Sequence, residues 1–119
     1  MTAPVTVEPD ATVGHFVDHV LTLHRQEAFA VARGRTLHGI LTLKDLKALP
    51  RERWHQTRVR DVMRPVSEEL FVPPSAPLAR AERLLNENGA GALAVVDDAG
   101  QLVGLILRGR IKRREKVRA

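Results

Sequence analysis

The sequence contains no cysteine, few aromatic residues and no apolar stretch of membrane-spanning length. Without cysteine the chain has no disulfide framework, thiol nucleophile or thiolate metal site. Its four aromatic residues are widely spaced and offer no stacking platform for nucleic-acid bases. The longest apolar runs, Ala90–Val96 and Leu102–Leu107, fall far below the roughly 18 residues that a spanning helix needs. What remains is 119 residues, 44% hydrophobic and 28% charged, a composition typical of a packed globular domain.

Positive charge is concentrated at the C-terminal end of the chain. Seven of the 19 lysine and arginine residues lie within residues 108–119, where Glu115 is the only acid. The other 107 residues carry 12 basic and 13 acidic side chains and are therefore nearly neutral. A solvated helix end, an anionic membrane surface and nucleic acid are three interpretations of this basic tail. Because aromatic platforms are missing, nucleic acid is not expected as the main partner.

Two blocks of the sequence repeat in the same order. At an offset of 65 residues, Val5–Val13 aligns with Leu70–Leu78, and Leu37–Lys47 aligns with Leu102–Lys112. Between these blocks, residues 29–31 align better at an offset of 64, so the copies differ in length by one residue near a turn. Two blocks at one offset indicate a duplication.

Each copy shows the pattern strand–helix–strand–strand–helix. Apolar residues recur at three- and four-residue steps early in each copy, which predicts one amphipathic helix there. The runs Ala28–Ala32 and Ala92–Val96 are too short for helices, and each predicts a strand that turns back into a second strand. Final helices are predicted at Leu43–Leu49 and from Arg108 onward.

The stretch between the copies is polar and contains the single tryptophan, Trp54. Its sequence, PRERWHQTRVRDV, is typical of a linker. The sequence thus predicts a first repeat at residues 1–49, a linker at 50–62, and a second repeat with a basic tail at 63–119. The fold class that follows is α/β (α+β).

A motif marks the end of the second strand in the first copy. The run Gly39-Ile40-Leu41-Thr42-Leu43-Lys44-Asp45, inside a duplicated unit of this order, resembles the signature of a pair of CBS domains, or Bateman module. The run Arg60-Asp61-Val62-Met63 resembles the usual start of a repeat in that family. The resemblance implies two repeats packed with pseudo-twofold symmetry. It also implies an adenine nucleotide (AMP, ADP or ATP) as a regulatory ligand in the cleft between them.

The chemistry of three motif residues fits that ligand. Gly39 lets backbone approach a planar group, Thr42 offers a hydroxyl to a phosphate, and Asp45 presents acceptors to ribose hydroxyls. The alternative is structural, with Thr42 as a helix N-cap and Asp45 as an acid in the first turn. Including an apolar adenine wall from the second copy, the residues implied for the site are Gly39, Ile40, Thr42, Asp45, Leu70, Ala92, Leu93 and Ala94.

The second copy departs from the motif. Leu107 replaces the threonine and Arg110 replaces the aspartate, and arginine has no acceptor for ribose hydroxyls. We therefore expect one nucleotide per chain. Arg108 or Arg110 is a candidate phosphate contact for the first half-site, because guanidinium suits phosphate. The alternative is that both arginines simply begin the solvated basic tail.

No catalytic or metal centre is predicted. His15 and His19 are four residues apart, but the glutamate that follows the first histidine of a zinc-protease helix is missing. Surface histidines are the favoured interpretation. No serine–histidine–acid arrangement and no phosphate-binding loop of the Walker type is found either.

A narrower resemblance concerns the segments Pro50–Trp54 and Thr57–Met63. They are similar to the linker in CBS pairs attached to bacterial site-2-protease-like membrane zinc metalloproteases. The resemblance implies a cytoplasmic module, on the cytosolic face of a membrane protein if that effector is attached. Since the first copy has no counterpart of residues 58–62, we expect the chain to be a fragment, and a genuine start at Met1 is the alternative.

The family resemblance also implies partners. Two modules are expected to form a homodimer through their helical faces, with an effector domain in the same chain or in another. Two other functions stay open from the sequence. One is a ligand-free dimerisation module, and the other is an adaptor that uses the basic tail to bind nucleic acid or an anionic membrane.

Overall fold

The computed structural model describes residues 4–108, and each half of this stretch forms its own β-sheet. The first sheet has the strand order β1-β2-β3-β4, and the second has the order β5-β6-β7. The strands are β1 (Thr6–Val7), β2 (Ala28–Arg33), β3 (Thr36–Thr42), β4 (Arg64–Pro65), β5 (Phe71–Val72), β6 (Ala92–Val96) and β7 (Leu102–Leu107). The α-helices are α1 (Val13–Phe16), α2 (Leu43–Lys47) and α3 (Leu78–Glu87).

The two sheets share the same pairing. Strand β1 runs parallel to β2 and β5 runs parallel to β6, while β2–β3 and β6–β7 are antiparallel hairpins. A register shift between Val31 and Ala32 recurs between Val95 and Val96, at the offset of 64 residues found in the sequence. The predicted duplication and the predicted α/β class are confirmed.

The halves are related by a pseudo-twofold axis. An isolated antiparallel bridge joins Thr36 to Gln101, which are equivalent residues at the offset of 65. Equivalent residues meet in this way only where a twofold axis passes between them. Away from the bridge, small and aliphatic side chains let the sheets approach closely, and they form one buried cluster of Ala28, Ile40, Leu70, Ala90 and Ala92.

The first repeat builds its core between the sheet and a short helical segment. Thr12 caps α1 by accepting a hydrogen bond from the His15 amide at 3.1 Å. Phe16 packs edge-on against Phe29 with ring centroids 5.0 Å apart. The helix predicted as one unit changes after Phe16 into a π-helical turn, Val17–Leu21. The apolar residues of this turn still pack against the core, so the apolar face predicted for a single helix is also the face that packs in the structure.

The predicted linker packs against the first repeat. The Val59 side chain is fully buried in the first core. Backbone hydrogen bonds join this segment to the start of α1, from Val59 N to Ala11 O at 2.8 Å and from Val13 N to Thr57 O at 2.8 Å. Strand β4 then continues antiparallel to β3. The segment is therefore a structural part of the first half, while the boundaries at residues 49 and 62 stay a prediction.

This packing leads to a stability prediction. Replacing Val59 by alanine removes two buried methyl groups and leaves a cavity, so we expect the free energy of unfolding to fall by about 2 kcal/mol. Val66→Ala is the matched control, because Val66 is 44% exposed and its loss should change little. Urea unfolding followed by circular dichroism measures both. Equal effects of the two substitutions would contradict the packing described here.

Candidate functional site

A cleft of about 530 Å³ lies where the two repeats meet at one end of the pseudo-twofold axis. The first repeat contributes the β3–α2 junction and the residue before β2, and the second contributes the loop before β6 and the residue after β7. The lining residues are Glu27, Thr42, Leu43, Lys44, Lys47, Gly89, Ala90, Gly91 and Arg108.

Equivalent backbone bonds place the two walls of the cleft. In the first repeat the amide of Leu43 donates to the carbonyl of Glu27 at 2.9 Å. In the second, the amide of Arg108 donates to the carbonyl of Gly91 at 3.0 Å. Since Leu43 and Arg108 are equivalent residues, the two repeats place matching positions on opposite sides of the cleft. Thr42 and Arg108, both predicted site residues, thus line one cavity.

The cleft is positively charged. Lys44, Lys47 and Arg108 line it, and Glu27 is the acid among its described residues. The Nε of Arg108 is buried with no hydrogen-bond partner within residues 4–108. Buried donors in proteins are nearly always hydrogen-bonded, so this Nε calls for an acceptor from outside residues 4–108. Neither lysine was predicted from the sequence, although Lys44 lies inside the motif. Lys47 lies three residues after Lys44, about one helical turn further on.

Thr42 caps α2 in the structure. Its Oγ1 accepts a hydrogen bond from the Asp45 amide at 3.0 Å, and the residue is only 3% exposed. The structural alternative considered for Thr42 is therefore realised. A hydroxyl that accepts one bond keeps its own proton, which Thr42 can donate either to the Asp45 carboxylate or to an oxygen in the cleft.

Asp45 forms a half-buried ion pair that the sequence did not indicate. Arg64 Nε donates to Asp45 Oδ2 at 2.9 Å, across 19 residues of sequence. Burial raises the pKa of the Asp45 carboxyl, but hydrogen bonds with the Arg64 and Thr42 side chains and the nearby cations outweigh it, and the pKa is lowered. The carboxylate thus stays ionised at neutral pH. Its contribution to stability is complete above the ordinary pKa of aspartate and is lost as the pH falls from there through the lowered pKa.

Gly39 is needed for packing within the protein. A Cβ at this position would lie 2.2 Å from the main-chain oxygen of Arg64, which no side chain tolerates. The close approach predicted for a planar ligand is thus made by strand β4, which pairs with β3 at Gly39. Gly39 is not among the residues that line the cleft.

The predicted adenine wall is divided by the structure. Ile40, Leu70 and Ala92 share the buried cluster between the sheets, with at most 4% exposure. Alternation along β6 turns Leu93 to the opposite face, where it packs with Val72, Ala81 and Leu85. Ala94 lies further along β6, in a separate buried cluster with Leu102. The structure therefore groups two members of the wall, Leu70 and Ala92, with Ile40 of the first repeat, and it separates Leu93 and Ala94 from them.

Some predicted features lie outside the described residues. Arg110 and the rest of the basic tail fall beyond residue 108, so the pairing of Arg110 with a ligand is not described. Within residues 4–108, no helix is long and apolar enough to cross a bilayer. The same residues contain no cluster of three or more histidine, cysteine or acidic side chains placed to hold a metal ion.

Two α/β repeats around a polar cleft on a pseudo-twofold axis define a tandem-repeat module. The family description CBS domain matches residues 1–52 and again residues 59–116. The chain therefore belongs to the CBS-domain family, as the tandem pair predicted from its sequence.

Known proteins show the same relationship. Inosine-5'-monophosphate dehydrogenase of Bifidobacterium longum is 32% identical over 107 residues, which cover 89% of this chain and 19% of that enzyme. The solved structure of CBSX2 in complex with AMP is 28% identical, with a TM-score of 0.77 and coverage of 98% of this chain and 94% of that one.

The cytosolic domain of the Mg²⁺ channel MgtE, solved in complex with ATP, is 26% identical. Its TM-score is 0.71, and the match covers 93% of this chain and 44% of that one. The chain spans about a fifth of the length of the curated relatives it matches. These matches establish the family and the fold.

Proposed function

We propose that this chain is a non-catalytic regulatory module that binds an adenine nucleotide in the cleft between its repeats. The observation that carries the proposal is the group of three cations, Lys44, Lys47 and Arg108, around the half-site of Thr42. A small cleft with a surplus of positive charge and a buried unsatisfied donor favours a compact polyanion such as a nucleotide phosphate. The AMP complex of CBSX2 and the ATP complex of MgtE support an adenine base.

Each residue then has a distinct role. The cations and the Thr42 hydroxyl bind phosphate oxygens, and Asp45 accepts from the ribose hydroxyls. Adenine packs on the cluster of Ile40, Leu70 and Ala92, which a small separation of the sheets would open. Binding would therefore act by population shift, because the ligand stabilises one packing of the two repeats over another. One nucleotide binds per chain, since Leu107 in the second copy lacks the hydroxyl of Thr42.

The module controls an effector in the same chain or in a partner, and we place it in the cytoplasm. The segment around Trp54 supports a membrane zinc metalloprotease as that effector. A test is to combine the module with a bacterial site-2-protease-like membrane metalloprotease and to measure the cleavage of that protease's substrate with and without ATP. No change in cleavage would contradict this effector.

The second candidate function is a dimerisation module that needs no ligand. A mainly apolar groove of about 430 Å³ favours it. Four leucines, two other apolar residues and two cations line this groove: Leu21, Leu43, Leu46, Leu49, Pro50, Trp54, Lys47 and Arg51. A second copy of the chain would cover such a groove. Light scattering together with calorimetric titration distinguishes the two functions, since a ligand-free module would be a dimer that binds no ATP.

The phosphate contacts are tested by calorimetric titration with adenosine, AMP and ATP. We expect affinity to rise along this series and the rise to shrink with added salt. The Lys47→Ala/Arg108→Ala double variant should weaken ATP binding by about tenfold and leave adenosine binding nearly unchanged. Arg80→Ala is the matched control, since this exposed arginine on α3 is not among the residues that line the cleft. A double variant that keeps the full preference for phosphate would contradict the proposed roles.

A further inference from the structure

Arg64 connects the two repeats beside the cleft. Its Nε donates to Asp45 Oδ2 at 2.9 Å, and its Nη1 donates to the main-chain oxygen of Asn88 at 3.1 Å. Asp45 belongs to α2 of the first repeat, while Asn88 ends α3 of the second. Because a guanidinium is planar and rigid, one side chain fixes the distance between these two groups.

Asn88 in turn shapes the loop that forms the second wall of the cleft. Its Oδ1 accepts from the Ala90 amide at 2.8 Å, and its Nδ2 donates to the carbonyls of Glu69 and Ala92 at 3.0 and 3.1 Å. Gly89 lies so close that a Cβ there would be 3.3 Å from Arg64 Nη1. The position of Arg64 therefore sets the position of residues 89–91 relative to α2.

We infer that Arg64 is a positioning residue for the nucleotide site, which holds the Asp45 carboxylate by one oxygen and keeps the other for the ribose. Asp45 Oδ1 keeps a lone pair for a ribose hydroxyl, since the Arg64 bond uses Oδ2 and a carboxylate oxygen can accept from the Thr42 hydroxyl and from a ribose hydroxyl together. The same guanidinium sets the opposite wall at a fixed spacing through Asn88. This inference rests on the proposed function and adds the group that makes Asp45 selective for ribose.

Calorimetric titration of the full chain with ATP and with 2'-deoxy-ATP tests the inference. We expect Arg64→Ala to weaken ATP binding by about tenfold and 2'-deoxy-ATP binding by less, so that the preference for ribose narrows. If Arg64→Ala acted only through a general loss of positive charge or of stability, it would weaken the binding of both ligands equally. Arg64→Lys keeps the charge but cannot span both acceptors, so it should recover only part of the preference. Arg80→Ala, an exposed arginine on α3, is the matched control and should change neither ligand.

The outcomes separate this inference from the proposed function. If the unaltered chain binds no ATP, the proposed function is overturned and the inference with it. If the unaltered chain binds ATP and Arg64→Ala leaves the ribose preference unchanged, the inference alone is overturned. A gain in ATP affinity would likewise overturn it, because Arg64 would then compete with the ribose for Asp45. Urea unfolding of each variant confirms that the chain is folded under the titration conditions.

Discussion

Replacing Gly39 by alanine is expected to lower the free energy of unfolding by about 3 kcal/mol. The added Cβ would stand 2.2 Å from the main-chain oxygen of Arg64, and the backbone of β4 is held beside Gly39 by its pairing with β3. The strain falls on β4, which carries Arg64. We therefore also expect weaker ATP binding in the fraction that remains folded. Urea unfolding and calorimetric titration measure the two effects.

Gly34→Asn is the matched control for this prediction. Gly34 has a φ of +61° in the turn between β2 and β3, with open space around its added Cβ. Asparagine tolerates this left-handed conformation better than other side chains, so the loss of stability should stay below about 1 kcal/mol. If the free energy of unfolding falls no further in Gly39→Ala than in Gly34→Asn, the close contact between β3 and β4 is not the reason for glycine at position 39.

Asp45→Ala should weaken ATP binding by about 10- to 100-fold, the cost of losing hydrogen bonds to a charged acceptor. The substitution removes the acceptors for ribose and also the partner of Arg64. Asp45→Asn keeps one acceptor oxygen without the charge. Its affinity for ATP should therefore lie between that of Asp45→Ala and that of the unaltered chain. Calorimetric titration gives all three affinities under one salt condition.

Asp98→Ala serves as the control for charge alone. Asp98 is an exposed acid in the turn after β6, at the opposite end of this strand from the residues 89–91 that line the cleft. Removing it changes the net charge as much as removing Asp45 does, yet ATP affinity should stay within about twofold of the unaltered value. Equal losses of ATP affinity in Asp45→Ala and Asp98→Ala would show that Asp45 is not part of the nucleotide site.

Much of the fold could be predicted because it depends on local pattern. The hairpin β2–β3 and its counterpart β6–β7 follow from short apolar runs broken by turn residues, and the duplication follows from blocks at one offset. The motif at Gly39–Asp45 located the strand-to-helix junction, and Thr42 does cap α2. These features depend on residues within a few positions of one another.

The rest depends on contacts between distant residues. A polar segment such as residues 50–62 looks like a free linker until tertiary packing buries Val59 within it. Arg64 meets Asp45 only because β4 lies beside β3, and no spacing in the sequence indicates that pair. Leu93 was assigned to the adenine wall from its neighbours, although strand alternation turns it to the other face of β6.

The most direct test of nucleotide binding between the repeats is the stoichiometry of ATP binding. Calorimetric titration of the full chain gives the number of sites and the affinity in one experiment, with adenosine as the ligand that lacks phosphate. We predict one ATP per chain, bound more tightly than adenosine. Two equivalent sites per chain, or no binding of ATP at all, would contradict a single site built on Thr42, Asp45 and the cations of the cleft.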